Sequence, residues 1–367
     1  MSLIIVPMTF LAILLLFIYE PLGQIVFQLL QWPVDGLFLF LDSLTHYLPG
    51  RIYLSQPTLL SSVLLIFGSI WLLMPRGWPG RWLGLLLFLP VFLIETEKIP
   101  QGQMQMTLLD VGQGLAILLR TQNHTLLYDT GDKYSESFNM ADAVIIPYMR
   151  SHGLNKLDTL IVSHSDRDHA GSFQELVNQL EVKKILAGEP ELLSLQEGLP
   201  IDIIQCRQGQ QWQWDQVLFR VLSPVDIRSE VKNNNRSCVI YISNAAQQSI
   251  LLTGDIEKNI EQQLLKNYPE LTAEILQVAH HGSKTSSSIA FLQQIQPKAA
   301  LFSFGYKNRF HHPAKKVVQR YKQLQIKLYN TNNGAIEINS NIINNSFSII
   351  EYRVNKQMFW HRELNHL

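Results

Sequence analysis

The run Leu160-Ile-Val162 stops abruptly at a dense cluster of metal-competent side chains, Ser163-His-Ser-Asp-Arg-Asp-His-Ala-Gly171. The apolar, partly β-branched run predicts a buried strand, and Ala170-Gly171 before Ser172 predicts a turn into a helix over Phe173–Leu180. A strand end leading straight into a helix start holds short side chains rigidly in one concave place, as a preorganised metal site requires. His164, Asp166, Asp168 and His169 are therefore a first set of candidate ligands. Imidazole and carboxylate together suit zinc, manganese or iron better than calcium, which prefers oxygen alone. A strand cap beside a solvated turn would explain one His next to one Asp, but not four such residues in six positions.

The same device recurs along the chain. Leu126-Leu-Tyr128 ends in Asp129-Thr-Gly131, Ile250-Leu-Leu252 in Thr253-Gly-Asp255, and the strand reaching Ala279 in His280-His281-Gly282, while His311-His312-Pro313 follows Asn308. Further strands are expected near 104–110, 116–120, 184–187, 216–222, 239–243 and 299–303, and helices near 140–152, 257–267, 288–295 and 313–324. Two sets of strands, each followed by helices, predict an α/β chain folded as a four-layer αββα sandwich with its site at one edge. Two ions about 3.5–4 Å apart need several protein ligands, a bridging carboxylate and a shared water. His164, Asp166 and one of His280 or His281 can serve the first ion, and Asp168, His169 and His312 the second. Asp255 then bridges, and Asp129 orients the His164 loop from behind. The shared water would ionise near neutral pH and attack a phosphorus or carbonyl centre.

Composition divides the chain. Residues 1–95 are dominated by Leu, Ile, Phe, Val and Trp, whereas the rest has a soluble composition, so a membrane or interfacial region over 1–98 is expected to join a globular region near Glu95–Gln103. Leu3–Ile18 lacks the basic start and small-x-small cleavage site of a signal peptide. Leu22–Leu44, with Trp32, Pro33 and Asp35, is expected to lie in the interface. Thr58–Met74 and Trp82–Ile94 are the better spans, the second short for a roughly 30 Å hydrocarbon core. Arg76 and Arg81 in the connecting turn assign it to the cytoplasm by the positive-inside rule, which sends the globular part to the far side. Overall charge is balanced at 30 basic and 30 acidic residues. The first 100 residues hold four basic and five acidic side chains, leaving 26 against 25 in the rest, so nucleic-acid binding cannot rest on net charge. Cys206 and Cys238 are too few for a disulfide framework or a cysteine metal cluster, and fit one disulfide or two unpaired thiols equally.

The motifs Leu109-Asp-Val-Gly-Gln-Gly114, Tyr128-Asp-Thr-Gly131, Ser163 to Gly171, Leu252-Thr-Gly-Asp255, Ala279-His-His-Gly-Ser283 and Asn308-Arg-Phe-His-His-Pro313 occur here in order and spacing. Over about residues 103–350 they resemble the metallo-β-lactamase-like domain of ComEC, the inner-membrane DNA-uptake channel of naturally competent bacteria. Leu3–Ile94 resembles the last membrane helices before that domain, and 351–367 would be a tail. The resemblance implies a bacterial inner-membrane protein with its domain on the periplasmic side. It also implies a role in moving DNA inward beside the rest of an uptake machinery, and a nuclease-like domain that degrades the strand not imported. It supports two divalent ions, manganese or zinc, held by His164, Asp166, Asp168, His169, Asp255, His280, His281 and His312, with Asp168, Asp255 and His281 central to catalysis. The residues alone leave His280 and His281 equivalent; phosphodiesterase relatives favour His281 as ligand, with His280 packing or touching substrate.

Two departures from the superfamily pattern matter. Asp166 stands where the wider superfamily has a second His, a change common in ComEC-type chains that makes the site harder and shifts its preference toward manganese or magnesium. Leu115 stands where many relatives carry Asp, so any role of that acid is absent. The family also has an amino-terminal OB-like domain and more membrane helices, so the resemblance implies a fragment or a truncated product. Arg167, Lys284, Lys307, Asn308 and Arg309 are candidates for holding phosphate. The acid-free stretch Tyr306–Lys327 reads either as a DNA-backbone contact or as a solvated helix face. Asn233–Ser237 reads as a polar loop at the site edge or a mere turn. Trp212 and Trp214 fit core packing better than base stacking. The expected function is a DNA-directed, metal-dependent phosphodiesterase. The rivals are a hydrolase of the same fold acting on another ester or amide, a non-catalytic DNA-binding or assembly module, and a channel fragment with no independent role.

Overall fold

The computed structural model describes residues 2–47, 56–75, 77–93, 98–193, 202–225, 233–359 and 361. Arg51, Arg76, Glu95 and Glu97 lie outside them, and with Arg76 goes half of the charge argument for orientation. The chain divides into two units, Met1–Tyr53 and Leu54–Leu367.

The first unit consists of helices Ser2–Ile18 and Glu20–Tyr47. The second helix runs through Pro33 for 28 residues. Proline removes one helix hydrogen bond, but here it does not end the helix, because helix-favouring apolar residues continue on both sides. Over Glu20–His46 this is the one helix among the described residues long and apolar enough to cross a membrane. The stretch expected in the interface is thus the one that meets this length, and shorter apolar helices flank it at Ile5–Ile18, Leu59–Leu72 and Arg81–Phe92. The two segments favoured as spans are shorter. One is the 14-residue helix Leu59–Leu72, and the other is a 3₁₀ helix, Arg81–Phe88, continued by Leu89–Phe92. At 1.5 Å per residue the first reaches only about 21 Å. These two segments cross at facing glycines: a methyl on Gly68 would lie 2.7 Å from the Gly84 oxygen, and one on Gly84 2.8 Å from the Gly68 oxygen. Close backbone approach of this kind requires small residues.

The globular part is built from two mixed sheets. The first has eight strands in the order Ile203–Gln205, Ile185–Ala187, Thr159–Val162, Thr125–Tyr128, Ile117–Arg120, Gln105–Leu108, Ile336–Asn341 and Ser346–Glu351. The second has seven, in the order Gln211–Trp214, Val217–Ser223, Val239–Asn244, Ser249–Leu252, Ile275–Gln277, Ala299–Phe302 and Lys327–Asn330. Each sheet has an antiparallel half and a parallel half, the parallel pairs beginning at Thr125–Tyr128 in one and Ser249–Leu252 in the other. Parallel strands need crossovers, and helices supply several of them. Ala141–Ser151 and Phe173–Gln179 cover the first sheet, and Lys258–Asn267, Ile289–Ile295 and Lys315–Gln323 cover the second.

Three apolar layers result. Met106, Leu108, Ile117, Tyr128, Phe219, Ile240 and Leu252 meet between the sheets, while separate layers lie under each set of helices. The central strands are buried on both faces, which is why Thr159–Val162 and Ser249–Leu252 read as continuous apolar runs. Trp212 stacks on Phe219 with centroids 5.1 Å apart, and Trp214 stacks on His124 at 4.9 Å, so both tryptophans pack rather than face a ligand. Cys206 and Cys238 form a buried disulfide linking the end of a first-sheet strand to the start of a second-sheet strand. The chain stays docked past residue 350. Tyr352–Asn355 is a helical turn, and Arg353 donates to Asp110 Oδ2 (2.8 Å) and to the Asn332 carbonyl (2.9 Å).

Candidate metal centre

Parallel strands in α/β sheets present their functional groups beyond their carboxyl ends. Here Tyr128 leads to Asp129, Val162 to Ser163-His164, Leu252 to Thr253-Gly254-Asp255, and Gln277 through Ala279 to His280-His281. Phe302 leads to Ser303. The two sheets therefore deliver their ligands to one shared edge.

Asp129, fully buried with φ 63°, anchors the arrangement. It accepts from the Ser163 N–H (2.6 Å), from Ser163 Oγ (2.8 Å) and from His169 Nδ1 (2.7 Å). Because the Ser163 hydroxyl donates to Asp129, it accepts from His164 Nδ1 at 3.0 Å. His281 Nδ1 donates to the Ser303 carbonyl at 2.8 Å. All three rings thus spend Nδ1 on the protein and turn Nε2 inward with its lone pair, the orientation that metal-binding histidines adopt. Replacing Asp129 with Asn should weaken metal affinity about ten- to a hundredfold. Competition titration against a chelating dye will measure it, and wild-type affinity would remove Asp129 from this role.

The inward atoms are crowded. His169 Nε2 lies 3.1 Å from His281 Nε2 and 3.2 Å from Asp255 Oδ1, and His281 Nε2 lies 3.3 Å from Asp168 Oδ2 and 3.7 Å from Asp255 Oδ2. Two triplets result, His164–His169–Asp255 and Asp168–His169–His281, with ligand atoms in each within 4.8 Å of one another. His281 therefore groups with Asp168 and His169 rather than with His164 and Asp166. His164 Nε2 and Asp255 Oδ1 are both buried, the first facing Asp166 Oδ2 at 3.5 Å and the second His169 Nε2 at 3.2 Å. Imidazole nitrogens and carboxylate oxygens crowded this closely out of water call for a cation among them. The donor set fits divalent ions of the zinc, manganese or iron type.

The carboxylates make this place strongly negative. Burial opposes charge on His169, but the Asp255 and Asp129 carboxylates outweigh it and hold its pKa well above the ordinary value; Asp255 likewise outweighs burial at His281. The same rings overcome burial at Asp168 and Asp255 and hold both well below the usual carboxylate range. His312 is different: burial and the neighbouring His281 and His280 push it down to about 4. Its ring is neutral at pH 7 and keeps a lone pair for a ligand.

The remaining predicted residues sit around this core. Asp166 lies 3.5 Å from His164 Nε2, and His280 lies 3.8 Å from Asp255 Oδ2 while contacting Asn234 Nδ2 and Thr285 Oγ1. Asp166, His280 and His312 line a cavity of about 150 Å³ together with Asp168, Asp255 and His281. His280 (φ 51°) and His281 (φ 50°) are both left-handed, a conformation costing on the order of 1–3 kcal/mol each that clusters at functional sites. Gly114 lets the loop before Leu115 press on the Asp168 backbone, since a methyl there would overlap the Asp168 carbonyl oxygen. Leu115, in the position of the absent acid, is fully buried and its N–H donates to that oxygen at 3.1 Å.

A larger cleft of about 600 Å³ opens beside this cavity, sharing Gln113, Asp168 and Phe310 with it. Arg167, Asn308 and Arg309 line it. The Arg167 Nε donates to Asp132 at 2.8 Å, and Asn308 uses its side chain to fix its own loop through the His312 N–H and carbonyl. Lys284 and Lys307 are exposed and line neither cavity.

Several contributors were not singled out from sequence. Ser237 Oγ reaches from the Asn233–Ser237 segment to the Asp255 N–H (3.2 Å) and His164 Nδ1 (3.5 Å), which makes that segment part of the site wall. Buried Glu189 accepts from Ser165 N (2.8 Å) and Oγ (2.5 Å) and from Arg236 Nη1 (3.1 Å), pinning the loop between His164 and Asp166. Leu186-Ala-Gly-Glu189 repeats the strand-end pattern, and that was the available signal.

Residues 109–306 match the Metallo-beta-lactamase superfamily. Competence protein ComA of Neisseria gonorrhoeae is 36% identical over 277 residues, covering 75% of this chain and 38% of that protein. ComE operon protein 3 of Bacillus subtilis is 32% identical over 270 residues, covering 67% and 34%. Recombination protein 2 of Haemophilus influenzae is 33% identical over 244 residues, covering 66% and 30%. The matches therefore cover about a third of these relatives' length. Among solved structures, the metallo-beta-lactamase fold protein YhfI from Bacillus subtilis aligns with a TM-score of 0.42 at 13% identity, covering 62% of this chain and 95% of that one. The chain belongs to the metallo-beta-lactamase superfamily, and its homologues include Competence protein ComA, ComE operon protein 3 and Recombination protein 2, of the ComEC family.

Proposed function

We propose that this chain is a divalent-metal-dependent phosphodiesterase that degrades DNA during its uptake, acting from the outer face of the bacterial inner membrane. The carrying observation is the pair of overlapping, largely buried His/Asp triplets around His169, beside a cleft edged by two arginines. The superfamily fold supports metal-dependent hydrolysis in general. The competence homologues support DNA uptake as its setting. The long apolar helix Glu20–Tyr47 supports membrane attachment, and the buried Cys206–Cys238 disulfide supports an oxidising compartment.

His169, whose one free nitrogen serves a single ion, would hold an ion either with His164 and Asp255 or with Asp168 and His281, the other pair being left for a second ion with help from Asp166, His280 or His312 at the rim. When bound, manganese or zinc supplies Lewis-acid polarisation of a phosphoryl oxygen and a water acidic enough to attack near neutral pH. The protein does the rest. Asp129, Ser163 and Ser303 fix the rings, and Asp255 carries negative charge into the space between the two sheets. Arg167 and Arg309 offer guanidinium groups to phosphate oxygens, for which their forked geometry is suited.

The test uses the full chain, purified in detergent, on end-labelled linear DNA with manganese, zinc or magnesium, or with chelator. Cleavage with manganese or zinc and none with chelator is expected. A folded, metal-loaded protein that cuts no DNA would end this reading. Retained DNA binding would then favour an uptake module without catalysis, and turnover of a lactam or a phosphorylcholine ester would favour another hydrolase of the fold.

A further inference from the structure

The cleft beside the metal centre is unusual for its aromatic content. Tyr134 (45% exposed), Tyr306 (47%) and Phe310 (49%) all line it. Phe138 packs on Tyr134 with centroids 5.8 Å apart. Of the six exposed aromatic side chains among the described residues after 98, four thus belong to this one place, whereas singly scattered exposed apolar residues are the ordinary case. The Arg309 guanidinium lies 4.7 Å from the Phe310 ring centroid. Asp168, in one of the ligand triplets, forms part of the same wall.

Exposed ring faces and guanidinium planes beside a phosphodiester-cleaving centre are the equipment of single-strand recognition. Every base has a π-face, and stacking on aromatic side chains captures it with little regard to sequence. A duplex offers no such face, because its bases are already stacked within it. The cleft, about 600 Å³, lies within the range of about 300–1,000 Å³ typical of small-ligand sites, room for about one or two nucleotides and none for a double helix. We infer that this cleft is a base-stacking subsite that takes the unpaired nucleobases of a single DNA strand next to the bond being cut, with Tyr134 as its platform and the Arg309 guanidinium, held against the Phe310 ring that stacks on His312, as its second plane. The inference rests on the phosphodiesterase reading above. Tyr134 sits on the short hairpin Lys133–Ser135 with Phe138–Asn139, and Phe310 on the loop that carries His312. The subsite would therefore be assembled from segments of both halves of the domain.

The experiment measures KM and kcat of the manganese-loaded full chain in detergent. The substrates are an oligothymidylate strand, the same strand in a blunt duplex, and a strand with abasic linkages around the scissile position. The base-bearing single strand should show a KM about tenfold below those of the other two, the order expected for one base–aromatic stack. In Tyr134→Ala that advantage should collapse toward onefold, and Tyr134→Trp should restore it. Phe310→Ala should act likewise, read together with metal content because Phe310 also borders the metal cavity. Equal KM for abasic and base-bearing strands in the wild type overturns the inference while leaving the nuclease standing. So does a Tyr134→Ala protein that loses affinity for anionic lipid vesicles but keeps its preference among strands. If no substrate is cut, the phosphodiesterase reading fails separately. Fluorescence anisotropy of labelled oligothymidylate then reads the subsite directly, about tenfold weaker binding in Tyr134→Ala supporting it and unaltered binding overturning it.

Discussion

Asp255→Ala should abolish phosphodiester hydrolysis, lowering kcat on the order of a thousandfold or more, as loss of a member of a jointly acting set does. Asp255 is almost fully buried, and it carries an anion from the second sheet to His169 of the first, 3.2 Å away, as well as to His281 at 3.7 Å. Without it, His169 Nε2 and His281 Nε2 face each other at 3.1 Å with the main counter-charge gone. Protonation of both becomes unfavourable, and a divalent ion loses one of its hard ligands. Metal content measured by elemental analysis should therefore fall together with activity. The Gly254-Asp255 turn is held by backbone and Ser237 contacts, so circular dichroism should report an intact fold. Asp255→Asn, which keeps shape and removes charge, should behave like Asp255→Ala. Full turnover in either protein would sink the nuclease reading.

The second large effect concerns stability. Cys206→Ser or Cys238→Ser should lower unfolding free energy by about 3–4 kcal/mol, the loop-closure value for a bridge spanning 32 residues. That corresponds to a fall in Tm of roughly 10 °C for a domain of this size. Both sulfurs lie in the apolar layer between the sheets, and Cys238 directly follows Ser237, which touches His164 and Asp255. Activity should thus weaken before the domain melts, and melts with and without reductant will separate the two effects. Identical melting curves for wild type and variants would mean that the thiols are unpaired, and would withdraw the support for an oxidising compartment.

The ligand-bearing strand ends were legible because each is a local pattern: an apolar run buried on both faces, then a turn, then a short polar side chain. His164, Asp168, His169, Asp255 and His281 were all nominated on that ground. Their grouping was not legible. Whether His281 lies with His164 or with Asp168 depends on which strands pair and in what order, and no window of sequence contains that. The left-handed backbone at His280-His281, which turns the second ring inward, also left no signal, since neither residue is a glycine. Asn233–Ser237 read equally as a loop at the site edge or a mere turn, because what decides between them is its contact with residues 164 and 255. In the apolar region the error was one of length. Composition favoured 58–74 and 82–94, whereas the continuous helix forms across Pro33 at 20–47.

The delivery of ligands from both sheets has a consequence for biosynthesis. His164, Asp168 and His169 emerge early, but Asp255, His281 and the loop bearing His312 follow roughly 90 to 150 positions later, and a metal site gains most of its affinity only when its ligands are held together. A nascent chain halted after the first sheet's central strands would hold three ligands on one open edge and no counterpart. If the proposed hydrolysis holds, it would be withheld from truncated products until the second sheet closes on the first, and a chain ending before residue 281 should bind metal weakly and be inert toward DNA however much metal is present.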